Sequence, residues 1–477
     1  MSGFAEYESY DALDLAALMK AGEVSATEVL EAAIARVEAR NPAVNAVVTK
    51  LYDHATQAIE AGLPEGPFTG VPYLVKALFT SVAGVRCAHG SRFFADLPPA
   101  SEDSLHVARL KQAGMVIYGM TSSCEMGLSL TCEPQLHGPS RNPWDLERTP
   151  AGSSGGAGAA VGARMLPIAH ASDGFGSIRA PAASCGLVGL RPSRARNTLA
   201  PAFGEALAGL VTEHAVSLTV RDNAALLDAT HGPAPGDPYY VLPPARPFLK
   251  EVGADPGSLR IAFTSKAPNG APVEADPLRV LQEAASLCAD LGHRVDEADP
   301  AIDGADVVPT FRTISAVNIL YTVRGHPSGR APAPGELETV VAKSAALAED
   351  IDGASYMAAV HTAHRIGRQM GAFHEDWDVL LTPGLGTLPP KLGWLDMMME
   401  DLEEYWRRVF SFSPFTVWFN LTGQPAMMIP LGRTESGFPV AVQAIARFGD
   451  EATLFRLASQ LEAARPWIGR KPPLAEQ

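Results

Sequence analysis

Apolar residues recur at helical spacing through the first sixty positions of the chain. Leu13, Leu15, Leu18 and Met19 mark one face, with Ser9 and Asp11 as candidate caps. A second start follows at Ser25-Ala26-Thr27-Glu28. In such a capping box the hydroxyl and the carboxylate each satisfy an otherwise orphaned backbone N–H. Val29, Ala32, Ala33 and Val37 continue it at helical spacing, so residues 9–60 read as helix. Short apolar runs then predict strands at Val71–Val75, Met115–Tyr118 and Leu166–Ala169, with a helix over Asp103–Ala113. Strand character returns at Val379–Leu381 and Met427–Ile429, each followed closely by a proline. The alternation predicts an α/β fold, a sheet with helices on its faces. Prolines cluster between 231 and 275 (Pro233, Pro235, Pro238, Pro243, Pro244, Pro247), which reads as a long surface excursion. Residues 324–336, rich in Gly and Pro, read as a second mobile loop of lid-like length. No internal repeat is present. The economical organisation is one domain over 1–477, with an N-terminal helical cap and a variable insert and lid region over about 231–375.

Charge narrows the class of partner. Of 477 residues, 38 are Lys or Arg and 53 are Asp or Glu, a formal net charge of −15. That balance argues against nucleic acid, whose phosphates demand a basic face, and against an anionic membrane surface. No apolar run is long enough to span a bilayer, and no basic stretch followed by an apolar core begins the chain. A cytoplasmic location is the expectation. Five cysteines without a C-x-x-C pair fit reduced thiols rather than a disulfide framework or a zinc site. His361 and His364 sit at i, i+3 on an amphipathic stretch, and no H-E-x-x-H occurs, so no metal and no cofactor are expected.

Three segments carry candidate chemistry: Gly70-Val71-Pro72-Tyr73-Leu74-Val75-Lys76, Pro150-Ala151-Gly152-Ser153-Ser154-Gly155-Gly156 and Asp173-Gly174-Phe175-Gly176-Ser177-Ile178-Arg179-Ala180-Pro181. They supply a lysine ending a buried strand and two serine-bearing, glycine-rich turns. A serine hydroxyl attacks poorly unless a base takes its proton. Lysine serves as that base only if its pKa falls toward 7–8, which burial achieves because desolvation disfavours the ammonium. Glycines at 174 and 176 let backbone N–H groups approach a ligand closely, the requirement for an oxyanion hole. Nucleophile and anion stabiliser on one turn suit acyl transfer.

These segments resemble the amidase signature family, whose nucleophile motif is a glycine pair followed by Ser-Ile-Arg-x-Pro-Ala, matched here by Gly176-Ser177-Ile178-Arg179-Ala180-Pro181-Ala182. Arg141-Asn142-Pro143-Trp144-Asp145, Cys185–Pro192, Leu381-Thr382-Pro383 and Asn420–Ala426 extend the likeness. The look is closest to the branch that holds 6-aminohexanoate-cyclic-dimer hydrolase, with urethanases near it. The resemblance implies a mixed twisted sheet covered by helices, with a core over about 60–200 and 375–465. It also implies a Ser–cis-Ser–Lys triad: Ser177 as nucleophile, Ser153 behind a cis peptide as the bridge, and Lys76 as base. Gly174, Phe175, Gly176 and Ser177 would supply the oxyanion hole, and Ser154, Ser172, Asp173 and Arg179 would support the site. Asp173 and Arg179 are expected to pair with each other rather than touch substrate. Two departures from the family pattern stand out: Ala77 where an aspartate usually follows the lysine, and Phe175 where most members have glycine.

The implied activity is hydrolysis of amides, with carbamates and esters open to the same site. An amidotransferase-type subunit delivering ammonia to a transfer-RNA-bound partner is the alternative, and a non-catalytic binding scaffold a third. Gly152-Ser153-Ser154-Gly155-Gly156 also fits G-x-S-x-G, which would make Ser154 the nucleophile, but no downstream histidine stands out. Gly156-x-Gly158-x-x-x-Gly162 faintly resembles a dinucleotide loop, and small-residue helix packing explains it better. The substrate is expected to be a small uncharged molecule with aryl or alkyl groups. Its pocket would be lined by Met126, Gly127, Leu128, Ser129, Leu130, Thr131, Ile314 and Phe415. Assembly is left open, a homodimer being the one considered.

Overall fold

The computed structural model describes residues 4–475. Eleven strands are distributed over two sheets. The smaller sheet holds β1 (Val47–Lys50), β2 (Pro72–Lys76) and β3 (Val116–Thr121) in the order β1-β3-β2. The larger is built from β4 (Ile168–Asp173), β5 (Val188–Arg191), β6 (Thr212–Ser217), β7 (Arg260–Phe263), β8 (Arg294–Glu297), β9 (Val379–Pro383), β10 (Ala426–Arg433) and β11 (Pro439–Ala446). Its spatial order is β4-β6-β5-β10-β11-β9-β7-β8, mixed in direction, with β7 parallel to both its neighbours and the other pairs antiparallel. Helices cover it, and the fold is α/β with one large hydrophobic cluster and a smaller second one that gathers Val188, Leu190, Ile261, Leu381 and Val442 of the large sheet. Among the described residues no helix is long and apolar enough to cross a membrane.

The N-terminal helical reading needs one correction. Helices span Ala12–Ala21, Ala26–Val44 and Tyr52–Glu60, but β1 interrupts them. Asn45 takes a left-handed conformation (φ 48°) and closes the second helix. The next residues, Val47-Val48-Thr49-Lys50, then pair with β3. Beta-branched residues favour that extended surface, a tertiary preference that overrides the helical run on either side. The capping box at Ser25 and Glu28 is formed, whereas the first helix is capped by Asp11 alone, Ser9 lying in a preceding 3-10 turn.

Residues 231–375 do more than decorate the surface. The proline-rich stretch is loop as far as β7 apart from a 3-10 turn at Phe248–Lys250, but β7 and β8 join the large sheet and the helix Val307–Arg324 lines the main cavity. Two strands of four residues with mixed burial carry little pattern of their own, which is why they escape a reading by periodicity.

Close approach of backbones sets the centre of the molecule. The helix Gly155–Gly162, Gly-Gly-Ala-Gly-Ala-Ala-Val-Gly, is buried along its whole length. A Cβ on Gly156 would stand 2.4 Å from the Ser122 backbone nitrogen, so only glycine lets this helix lie against β3. The turn entering this helix is pinned equally hard. A Cβ on Gly152 would lie 1.8 Å from the Thr131 carbonyl oxygen.

Candidate active site

Three buried polar ends converge where the two sheets meet. Lys76 is the last residue of β2, Ser172 and Asp173 end β4, and Ser153 and Ser154 lead into the glycine helix. Polar residues at the end of wholly buried strands are costly unless partnered. Here they partner each other. Lys76 Nζ donates to Ser153 Oγ at 2.8 Å, to Ser172 Oγ at 3.0 Å and to the Ser172 carbonyl at 3.4 Å. Burial pushes the Lys76 ammonium down to about 8, with Cys124, Cys132, Asp173 and Glu213 pulling it partly back. The peptide between Gly152 and Ser153 is cis.

Ser177 sits on the turn after β4, and its side chain faces the same cavity as Ser153. No hydrogen bond holds Ser177 Oγ among the described residues, and the direct link between the two chain segments is Ser154 N–H donating to the Ser177 carbonyl at 3.3 Å. Ser154 is turned inward: its Oγ donates to the Ser172 carbonyl at 3.2 Å and accepts from the Ser172 N–H at 3.3 Å. That double tie, and its absence from the cavity wall, removes Ser154 as the nucleophile of a G-x-S-x-G elbow.

The nucleophile turn is tied down by one carboxylate. Asp173 accepts from Gly176 N–H at 2.7 Å and from Ile178 N–H at 3.2 Å, and pairs with Arg179 Nε at 2.9 Å. Arg179 in turn donates to Gln443 Oε1 at 2.7 Å and Asn420 Oδ1 at 2.5 Å, linking the turn to β11 and the helix Thr416–Thr422. Burial alone would raise the Asp173 carboxyl, but the Arg179 guanidinium outweighs it and holds the group well below the usual carboxylate range. Because Gly176 N–H is spent on Asp173, this donor is not available to an oxyanion; the N–H groups of Phe175 and Ser177 carry no protein acceptor among the described residues. Gly176 has φ +130°, and a Cβ there would stand 2.5 Å from Thr416 Oγ1, so glycine is required.

Phe175 turns its departure from glycine into a wall. Its ring packs on Phe311 at 4.7 Å between centroids and on Trp406 at 6.4 Å, while Thr416 Oγ1 donates to its carbonyl at 2.8 Å. The cavity in front of Ser153 and Ser177 has a volume of about 420 Å³. Met126, Gly127 and Leu128 line it. Five expected lining residues do not, and each is fully buried. Beyond Leu128 the chain dives into the core, where Ser129 Oγ accepts from Tyr405 OH at 2.5 Å, Leu130 is enclosed and Thr131 binds Glu133 and Thr149. Ile314 lies on the correct helix but on the flank of the face that carries Phe311, Ser315, Asn318, Ile319 and Thr322, about 80° from its centre, where it is enclosed. Phe415 is interior, its carbonyl accepting from Gln443 Nε2 at 3.4 Å. Residues 324–336, expected as a lid, do not line the cavity; Arg330 fastens that loop to the Phe93 carbonyl at 2.8 Å.

Sequence reasoning missed the segment Leu199–Leu207, Leu78 and Phe79, and the buried pair His170 and Glu213. Alternation on β4 was a usable signal, since His170 and Ser172 share a face, and Glu213 stands opposite Ser172 on β6. Among the described residues no cluster of His, Cys, Asp and Glu is placed to hold a metal ion.

A family profile described as Amidase matches residues 28–455. The 6-aminohexanoate-cyclic-dimer hydrolase of Paenarthrobacter ureafaciens is 36% identical over 482 aligned residues, covering 97% of this chain and 96% of its own. The chain belongs to the amidase signature family. As an amidase it is a hydrolase acting on carbon–nitrogen bonds. A putative amidase, AmiB2, of Mycobacterium tuberculosis is 35% identical over 96% of this chain and 97% of its own. A solved 6-aminohexanoate cyclic dimer hydrolase superposes on this amidase with a TM-score of 0.92 at 34% identity, covering 98% of this chain and 99% of that one.

Proposed function

We propose that this amidase cleaves amides of small, largely apolar substrates through an acyl-enzyme on Ser177, and that carbamates and esters enter the same reaction. The observation that carries the reading is the 2.8 Å contact between Lys76 Nζ and Ser153 Oγ in a fully buried setting, opening on the cavity that also holds Ser177. A lysine near 8 is neutral in an appreciable fraction at neutral pH and accepts a proton there. In the proposed sequence Lys76 draws the Ser153 hydroxyl proton as Ser153 draws that of Ser177. Ser177 Oγ then adds to the substrate carbonyl, whose oxygen is received by the free N–H groups of the Phe175–Ser177 turn. The proton returns through Ser153 to the leaving nitrogen, and water repeats the path to release the acid. Carbamates differ from amides by one alkoxy oxygen on the same carbonyl, so the geometry required is unchanged. An apolar wall of Leu78, Met126, Leu128, Phe175 and Phe311 favours aryl and alkyl groups and discriminates weakly among homologues, by about 1–3 kcal/mol per methylene. The test is nitroaniline release from a 4-nitroanilide by the purified chain alone, beside a matched aryl carbamate. Ser177→Ala is expected to abolish both; undiminished turnover by that variant would overturn the assignment.

A further inference from the structure

Three carboxyl groups line the cavity, Glu102, Asp103 and Glu213; only Glu213 is buried, and its surroundings leave it half satisfied. It is 6% exposed and stands on β6 directly opposite Ser172, the residue that binds Lys76 Nζ. Its Oε1 accepts from Thr80 Oγ1 at 3.0 Å. Among the described residues no lysine or arginine forms an ion pair with it. His170 comes within 3.7 Å through Nε2, beyond hydrogen-bond reach. Because His170 Nδ1 accepts the Lys76 backbone N–H at 3.2 Å, and burial keeps this imidazole well below its ordinary pKa, the ring is neutral and brings no charge to Glu213. The second carboxyl oxygen, Oε2, has no protein partner and is not among the enclosed orphan atoms, so it opens on the cavity. Leu78, Phe79, Phe203, Leu207 and Val211 supply apolar surface to the same cavity, and Ser172, across from Glu213, is committed to Lys76 Nζ.

Buried carboxyl groups of structural purpose are paired with cations or saturated with donors. This one is neither, and its free oxygen faces the cavity that Ser153 and Ser177 also line. We propose that Glu213 is a specificity-determining residue that accepts a hydrogen bond from a second N–H of the substrate, carried on the apolar portion away from the scissile carbonyl. Substrates bearing such a group are diamides, bis-carbamates and aminoacyl or acylaminoacyl amides. Glu213 thereby supplies a buried polar anchor on the wall beside Ser172. Burial pushes its carboxyl up to about 7, with Thr80 and Lys76 drawing it back, and an N–H donor on Oε2 would favour the carboxylate further. The proposal rests on the reading of Ser177 as nucleophile only in that the anchor serves the same cavity.

The test compares three 4-nitroanilides of one acyl chain length: an ω-acetamidoalkanoyl, the isosteric ω-acetoxyalkanoyl and the plain alkanoyl compound, with the length varied in a short series. Wild type is expected to favour the acetamido compound over the acetoxy one by roughly 10- to 100-fold in kcat/KM at the best length, mostly through KM. Glu213→Leu is expected to erase that preference, lowering the acetamido rate far more than the acetoxy and plain alkanoyl rates, and Glu213→Gln, which keeps an acceptor oxygen, to restore part of it. An equal change for all three substrates would overturn the proposal and place Glu213 as a residue acting through Lys76. So would an unaltered preference in Glu213→Leu. Binding of the acetamido and acetoxy compounds to Ser177→Ala, measured by calorimetry, tests the anchor without turnover. If Ser177→Ala still releases nitroaniline, the nucleophile assignment fails while the binding ratio continues to report on Glu213.

Discussion

The most exposed prediction concerns the proton-accepting state of Lys76. Burial takes its pKa from 10.5 to about 8. At about 1.36 kcal/mol per unit that displacement represents about 3 kcal/mol of lost ammonium solvation net of nearby charges. An unperturbed lysine would be neutral in about 3 molecules per 10,000 at pH 7, whereas one near 8 is neutral in about one in ten, a gain of roughly 300-fold in competent enzyme. The rate of the acylation step should follow that fraction. Under kcat/KM conditions, nitroaniline release is expected to climb about tenfold per unit between pH 6 and 7.5 and to level above about 8.5. Glu213 titrates in the same window, its carboxyl at about 7. Glu213→Gln removes that contribution, and the limb should persist, displaced slightly toward acid because no carboxylate then favours the ammonium. Ala77→Asp, which returns a negative charge beside the lysine, should move the limb toward alkali. Lys76→Met should lose about two to four orders of magnitude, the usual contribution of a positioned base. A flat profile from pH 6 to 9, or an inflection that ignores both Ala77→Asp and Lys76→Met, would refute the assignment of the base.

Other expectations follow from burial and contact. Asp173→Asn leaves the Arg179 guanidinium buried with its counter-charge removed, at a cost of about 3–5 kcal/mol, read as a lower midpoint in urea; an unchanged midpoint would show that the network carries no stability. Gly152→Ala drives a methyl group to 1.8 Å from the Thr131 carbonyl oxygen, and the variant should lose both thermal stability and activity; a wild-type Tm would mean the turn has slack. Stability should also depend on pH with opposite signs at its two ends. Burial lowers His89, His214 and His374 to about 4 and His106 to about 3, so the unfolded chain binds more protons and stability is lost as pH falls below about 6.5 toward 4. Burial raises Glu125 and Glu462 to about 7 and Glu338 to about 8, so the folded chain holds the extra protons and stability falls as pH rises from about 4.5 through 8. Scanning calorimetry should therefore give a lower Tm at pH 8 than at pH 6, and a steady rise between them would count against these assignments.

The motifs at Lys76, Ser153 and Ser177 were legible because their chemistry is written in contiguous residues: a buried strand ending in lysine and two turns in which glycine is obligatory. The capping box at Ser25 is local in the same sense, closing within one helical turn. What the sequence hid depends on distant segments meeting. Thr131 and Leu128 look alike as members of one apolar run, yet one faces Thr149 and the other the cavity. Ile314 and Ser315 are neighbours whose fates differ by the rotation of a helix that only tertiary packing fixes. Glu213 was invisible for a related reason, since nothing within Thr212–Ser217 announces that Ser172 will stand across from it.

The glycine helix and the turn before it have a practical consequence for anyone reshaping this enzyme. Behind Ser153, Gly152 and Gly156 press on the main chain of Thr131 and Ser122, where even a single added carbon has nowhere to go. Across from it, Leu199–Leu207 and the helix of Phe311 present interchangeable side chains. Directed evolution toward bulkier or differently shaped amides should thus draw its productive changes almost wholly from that second half, and libraries that randomise both halves equally will spend much of their diversity on misfolded clones.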